Sequence, residues 1–219
     1  MIDTNITLDQ FLMAIIDTLY MVGMALFIGS LIGFFLGIMI VVTRPGGVIE
    51  IKLIYTLFNP IINMVRSVPF IILMVAIIPF TRMIVGTSIG TNAAVVPLII
   101  FISPLIARLV ENSLLEVNPG IIEAAESMGA TPFQIIRYFL LPEAFGSLIL
   151  SLTTATISLV GATAMAGTVG GGGVGDIAIL YGYQRFDTFA MVITVIILII
   201  FVQTIQSTGN RLARFIRRH

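Results

Sequence analysis

Apolar residues run along this chain in long blocks with almost no charge. Five blocks reach the roughly 20 residues that a membrane-spanning helix needs. The first extends from about Ala14 to Val42, uncharged after Asp17, and the second from about Pro60 to Phe80, with Arg66 near its start. The third runs from about Ala93 to Leu114, the fourth from about Ala144 to Gly167 and the fifth from about Thr188 to Thr208. Pro60, Pro69 and Pro79 are expected to bend the second crossing, because packed neighbours satisfy the backbone groups that proline frees in a membrane helix.

Between the third and fourth blocks the pattern changes to a polar, helix-prone island, Glu123–Pro142, EAAESMGATPFQIIRYFLLP. Asn118 is a good N-cap and Pro119 suits the first helical position, so a short helix is predicted over about Pro119–Met128. Gly129 is able to end it in the left-handed conformation. Thr131-Pro132 repeats the signal and predicts a second short helix to about Leu140, with Pro142 starting the turn into the fourth crossing. Ala124, Ala125 and Met128 give the first helix small and apolar groups that let a partner groove approach its backbone. Glu123 and Glu126 sit near its start, where the helix dipole favours anions. An amphipathic helix lying on the bilayer surface accounts for these features equally well on helix-building grounds.

Composition agrees with the blocks. Hydrophobic residues are 58% of the 219 and charged residues 10%, against about 25% charged in a soluble domain, and the mean hydropathy is +1.12. The chain reads as an all-α integral membrane protein of about five transmembrane helices, one transmembrane domain over residues 1–219. The net charge of zero carries no nucleic-acid signal. There is no cysteine, which excludes disulfides, thiol catalysis and cysteine–zinc sites. The acidic start MIDTNITLDQ has no basic region and is not read as a cleaved leader. The one lysine, Lys52, has no phosphate-binding loop around it, and the one histidine, His219, stands last. No nucleotide site, hydrolytic triad or metal site is expected, no cofactor belongs to the chain itself, and the chain is read as a non-enzyme.

The distribution of charge sets an orientation. Placing the N-terminus outside and the C-terminus inside puts nine of the eleven basic residues on the inner flanks and leaves only Arg82 and Arg185 outside. The island is then cytoplasmic, and the tail RLARFIRRH is an inner topology anchor against anionic lipid.

Within the spans, Arg108 and Glu111 at i, i+3 are placed to pair, and Gly29, Gly33 and Gly37 form a small-residue packing face. Ser151, Thr153, Thr154, Thr156, Ser158 and Thr163 make the fourth span the most polar, which fits a pore wall and interhelical hydrogen bonds equally. Met165 and Gly161, near its outer end, are a candidate outer gate, with ordinary packing as the plainer role for Met165. Gly170–Gly175, GGGGVG, follows a span rather than a strand, so it is not a dinucleotide fingerprint. It reads either as a flexible loop or as an outer contact with a docked protein, and the adjoining AILYGYQRFD as a short outer helix or loop.

The island resembles the EAA loop of ABC importer permeases: Glu123, Ala124, Ala125, Gly129, Leu141 and Pro142 match in register, and Phe139 stands where that family prefers Ile. TRPG at 43–46, RSVPFIIL at 66–73, IPFTRMIVGTSIG at 78–90, ARLVENSLLE at 107–116 and LLPEA at 140–144 are similar to the methionine-importer permeases, the five-helix branch of the type I importers. The resemblance implies a type I permease fold in the cell membrane and a coupling loop at 118–142. Glu123, Ala124, Ala125, Met128, Gly129, Leu141 and Pro142 would meet a cytoplasmic ATPase through that loop. It further implies a second copy of the chain, two ATPase subunits that bind ATP-Mg, an extracytoplasmic methionine-binding protein, and methionine as cargo without a choice of D or L. Two alternatives stand beside it. One is a permease for another amino acid. The other is an ATP-independent secondary transporter, which the absence of an inverted repeat and of an acid at a span centre disfavours.

Overall fold

The computed structural model describes residues 6–216, and all of its regular elements are helices. The first five residues, together with Arg217, Arg218 and His219 of the basic tail, lie outside the described residues. Four helical stretches are long and apolar enough to cross a membrane: α1 (Leu8–Thr43), α5 (Thr91–Leu115), Pro132–Gly167, which includes α8 (Leu141–Gly167), and α10 (Thr188–Ile216). The count becomes five only if a broken pair is taken as one crossing.

That pair corrects the second predicted crossing. A single bent helix over Pro60–Phe80 does not form. Helix α2 (Lys52–Ser67) begins eight residues earlier, contains Pro60, and stops before Pro69. The chain restarts as α3 (Phe70–Ala76) and then α4 (Ile78–Val85), which closes on Gly86 in the left-handed region. Pro69 disfavours helical geometry at Val68, so the helix ends there. Pro60, and Pro97 and Pro104 within α5, are carried without a break. Arg66 therefore lies 14 residues into a helix, roughly 21 Å from Lys52 at 1.5 Å per residue, and not near the start of one.

The described chain divides into two compact units. One comprises the residues up to Gly29, Val68–Ile102 and Thr156–Gln206. Its core gathers Ala14 of α1, Val174 and Ile177 of the short helix α9 (Val174–Ile177), and Ala190 of α10. Here the glycine run is a packed corner. Gly170, Gly172 and Gly173 have φ between 76° and 85°, a region closed to most side chains. A Cβ on Gly171 would stand 2.7 Å from the Ala166 carbonyl oxygen, and one on Gly175 would overlap the Ala164 backbone. The Val174 N–H donates to Thr18 Oγ1 (2.9 Å) and the Gly90 N–H to the Gly170 carbonyl (2.9 Å). Gly171 and Gly175 are required because backbone meets backbone there, and Gly170, Gly172 and Gly173 because of their positive φ, so the run is a packed corner. The segment AILYGYQRFD continues α9 as a wide π-helical turn over Ala178–Gln184. Burial pushes the Asp176 carboxyl above its ordinary pKa.

The other unit comprises Ser30–Ser67, Ser103–Ala155 and the residues from Ser207 on. In it α1 and α5 touch through glycine, as the small-residue spacing predicted. A Cβ on Gly33 would stand 2.6 Å from Ile106 Cβ, and one on Gly37 2.7 Å from the Ala107 carbonyl oxygen and from Val110 Cβ. Gly37→Leu is accordingly expected to force the two helices apart and to cost several times the 1–3 kcal/mol of an ordinary overpacking change. The chain would be lost from membranes, where Gly23→Leu, at a site with open space around it, accumulates normally; equal levels on immunoblots would overturn the close approach.

Candidate functional site

The polar island folds as a capped elbow within the second unit. Helix α6 (Pro119–Ser127) starts where expected: Asn118 Oδ1 accepts the Gly120 N–H (2.9 Å) and Pro119 fills the first turn. It ends in a Schellman closure, with the Gly129 N–H donating to the Glu126 carbonyl (2.9 Å) and the Ala130 N–H to the Ala125 carbonyl (3.1 Å). Gly129 takes φ = 77° with open space beyond it, so backbone conformation, and not crowding, fixes glycine at this position. Two residues on, Thr131 starts the next helix with a full capping box: Gln134 Oε1 accepts the Thr131 N–H (2.8 Å) while Thr131 Oγ1 accepts the Gln134 N–H (3.4 Å).

Beyond the box the expected turn is missing. Helix α7 (Pro132–Gln134) passes into a π-helical stretch, Ile135–Leu140, and straight on into α8, one continuous run of 36 residues. Pro142 therefore sits in a helix rather than starting a turn. The Leu141 N–H donates to the Ile136 carbonyl, an i−5 bond, so the missing N–H of Pro142 falls where the helix is already changing register. A π turn of this kind absorbs a local misfit inside an α-helix.

The residues that the resemblance assigns to the loop fall into two groups. Ala125 is fully buried, with Ile135 and Leu140 of the π stretch at 1% exposure nearby in the chain. It seats α6 on its own unit, and the expectation that it faces a partner does not hold in the single chain. Glu123, Ala124, Glu126 and Ser127 are exposed, and Met128 is 70% exposed. The surface that α6 offers is thus a small residue, a flexible thioether tip and two carboxylates, projecting from a helix held rigidly at both ends. Leu141 is half-buried and Pro142 exposed. Pro142 lines, with Tyr138, Glu143 and Ile216, a cavity of about 450 Å³.

Sequence reasoning gave Arg44 only a topological role. In the structure it lines a second cavity, of about 210 Å³, with Glu123 and Glu126, and neither carboxylate is within ion-pairing distance. Arg44 Nε is buried without a hydrogen-bond partner. The expected Arg108–Glu111 pair forms, with a short contact, and it is larger than predicted. Arg108 Nη2 also donates to Asn59 Oδ1 (2.7 Å) and Asn63 Oδ1 (2.5 Å) of α2. The signal was present in the sequence as polar residues at 52, 56, 59, 63 and 66, one stripe of a helix, but it was hidden while the second span was placed eight residues too late. On the other side of α5, Ser113 and Ser151 share a hydrogen bond (2.8 Å), and Ser147 donates to Glu116 (2.6 Å). Part of the fourth span's polarity therefore joins helices. Thr153 and Thr163 are buried and bond their own helix.

The two candidate gate residues lie in the first unit. Gly161 is exposed with open space around it, and Met165 is 49% exposed. Ser158, three residues before Gly161, is half-buried, and Thr168 lies just past the end of α8, so Gly161 and Met165 are the exposed positions of this face.

A multi-helix membrane chain with a capped elbow ahead of one of its long apolar helices is the class this geometry defines. The family model described as "Binding-protein-dependent transport system inner membrane component" matches residues 29–218, and the chain belongs to that family. Among curated relatives, the probable D-methionine transport system permease protein MetI of Vibrio cholerae is 52% identical over 206 residues, covering 94% of this chain and 92% of that one. The D-methionine transport system permease protein MetI of Escherichia coli K12 is 52% identical over 151 residues, covering 69% of this chain and 70% of that one. A solved structure of the MetNI methionine ABC transporter in an inward-facing conformation superposes with a TM-score of 0.94 at 45% identity, covering 97% of this chain and 99% of that one. The all-helical fold is that of a type I ABC importer permease, and the chain is a membrane-embedded permease subunit, not itself a catalyst.

Proposed function

We propose that this chain is the permease subunit of a methionine ABC importer, which forms the translocation pathway and receives the work of ATP hydrolysis from a separate ATPase. The observation that carries the docking role is α6: an exposed Ala124–Met128 face on a helix fixed by a buried Ala125, an Asn118 cap and a Gly129 closure. Such an element transmits force without yielding. Two copies of the chain, ten crossings about a two-fold axis, would offer two elbows to two ATPases that bind ATP-Mg. An extracytoplasmic binding protein would deliver methionine. The excess of basic residues on one set of loops supports an outer N-terminus and an inner C-terminus. As the ATPases close, each elbow is carried with its groove and the helices turn as rigid bodies.

Reconstitution with the cognate ATPase and binding protein tests the reading. ATP-dependent uptake of labelled methionine, above that of other amino acids, is expected. Uptake of a different amino acid in preference would reassign the cargo, and ion-driven uptake without the ATPase would overturn the mechanism.

Within this function Met165 closes the outer end of the pathway by meeting its copy across the axis, with Gly161 leaving room one turn below. Met165→Ala is expected to raise the ATP consumed per methionine taken up, since a leaky gate wastes closures. An unchanged ratio would return Met165 to plain packing.

A further inference from the structure

We infer that Arg44 supplies the counter-charge that lets the carboxylates of the elbow be covered when the ATPase seats, and that it thereby ties the end of α1 to α6. The inference rests on the docking reading above and adds to it one positioning residue from the chain itself.

The base of Arg44 is fixed. Helix α1 ends at Thr43, and the Arg44 N–H still donates to the Ile40 carbonyl (3.1 Å). The chain then turns back at once: the Gly47 N–H donates to the Arg44 carbonyl (2.9 Å) and the Ile49 N–H to the Val42 carbonyl (3.0 Å). A Cβ on Gly47 would stand 2.8 Å from the carbonyl oxygens of Val41 and Val42, so the turn is tight. From it the half-buried Arg44 reaches the cavity of about 210 Å³ whose far wall is α6.

Among the described residues that line this cavity, Arg44 is the one cation, and Glu123 and Glu126 are the two acids. Other acids of the same unit are engaged elsewhere. Glu50 pairs with Lys52 (3.6 Å), Glu111 with Arg108, and Glu116 accepts from Ser147. Opposite charges thus face one another across a small cavity without touching.

Helix α6 presents two sides. Glu123 and Glu126, three residues apart, share the side on the cavity, with Ile122 between them. Ala124 and Met128, four apart, stand on another side and are exposed. A partner that grips Ala124 and Met128 covers the adjoining carboxylates in the same step. In water each carboxylate is solvated on its own. Beneath a protein surface an unpaired charge is strongly disfavoured, and attraction to a nearby cation grows as water leaves. Arg44 Nε is already buried without an acceptor, a penalty that an approaching carboxylate removes. The docked elbow then acts on two crossings, on α1 through charge and on α8 through the continuous chain.

Arg44→Met is expected to weaken binding of the labelled cognate ATPase, titrated onto the chain in lipid nanodiscs, by about tenfold to a hundredfold, the range that hydrogen bonds to charged groups span. Arg44→Lys should recover part of the loss. Adding Glu123→Gln and Glu126→Gln to Arg44→Met should recover most of it, because no charge is then left to cover. A side chain that only packed the turn after α1 would gain nothing from changes on another helix. Unchanged binding by Arg44→Met overturns the inference, as does weak binding that the two glutamines leave weak. Should Arg44→Met fail to accumulate, the variant that also carries both glutamines decides in its place: recovered chain levels support the charge coupling, and a chain still lost overturns it. Failure of the wild-type chain to bind the ATPase would instead sink the docking reading.

Discussion

Met128→Glu is expected to abolish ATP-driven uptake while the chain still inserts and accumulates at its normal level. Met128 is the most exposed large apolar side chain on the elbow, at 70%, and it stands on a backbone locked by the Schellman closure. An apolar tip on a rigid mount is the form of an interface anchor, and losing one costs 2 kcal/mol or more, a factor of about thirty or greater in affinity. A carboxylate there adds a buried, unpaired charge and a third negative group beside Glu123 and Glu126. Two such elbows per assembly would each lose that much, so copurification with the ATPase should fall below detection. The neighbouring alanines sharpen the test. Ala124 is exposed and Ala125 fully buried, so Ala124→Trp should give a stable chain that fails to couple, whereas Ala125→Trp should unseat α6 and lower the amount of protein. Normal transport by Met128→Glu, or the same phenotype from both tryptophans, would remove the docking surface from this face.

Arg108→Met should destabilise the chain by about 3–5 kcal/mol, the cost of leaving one partner of a buried ion pair alone. Glu111 is 5% exposed, and its charge is held by Arg108. Removing the guanidinium also strips Asn59 and Asn63 of their donor and so loosens α2 from α5. The measurement is the thermal inactivation of the purified assembly. Adding Glu111→Leu to Arg108→Met should return a large share of the loss, because an apolar pair of similar volume often replaces a buried ion pair with little penalty. A double variant no better than the single one would mean that the network's value lies in the asparagine contacts and not in the charge pair.

What was legible in the sequence was local. Asn118-Pro119, Gly129 and Thr131-Pro132 act on backbone within four residues of themselves, and each produced the cap or closure its chemistry dictates. The Gly33–Gly37 face and the Arg108–Glu111 pair were legible for the same reason, since helical spacing alone brings those residues together. What was hidden depends on surroundings. Prolines at 60, 97, 104 and 142 lie inside helices while the one at 69 ends a helix, and nothing in the residue type tells these apart. The outcome turns on whether neighbours or a π turn take up the freed backbone groups. Ala124 and Ala125 are chemically identical, yet one faces out and the other in, because the packing of α6 on its own unit decides between them. The glycine run looked mobile because glycine permits motion. Contact with Ala166 and Ala164 makes Gly171 and Gly175 obligatory, and positive φ does so for Gly170, Gly172 and Gly173.

The unbroken helical stretch from Pro132 to Gly167 has a consequence for spacing. Its 36 residues contain no loop that would absorb an insertion or a deletion. Deleting a single residue from the middle of α8 would turn every side chain beyond the cut by about 100° relative to those before it, however well the shortened segment still crossed the bilayer.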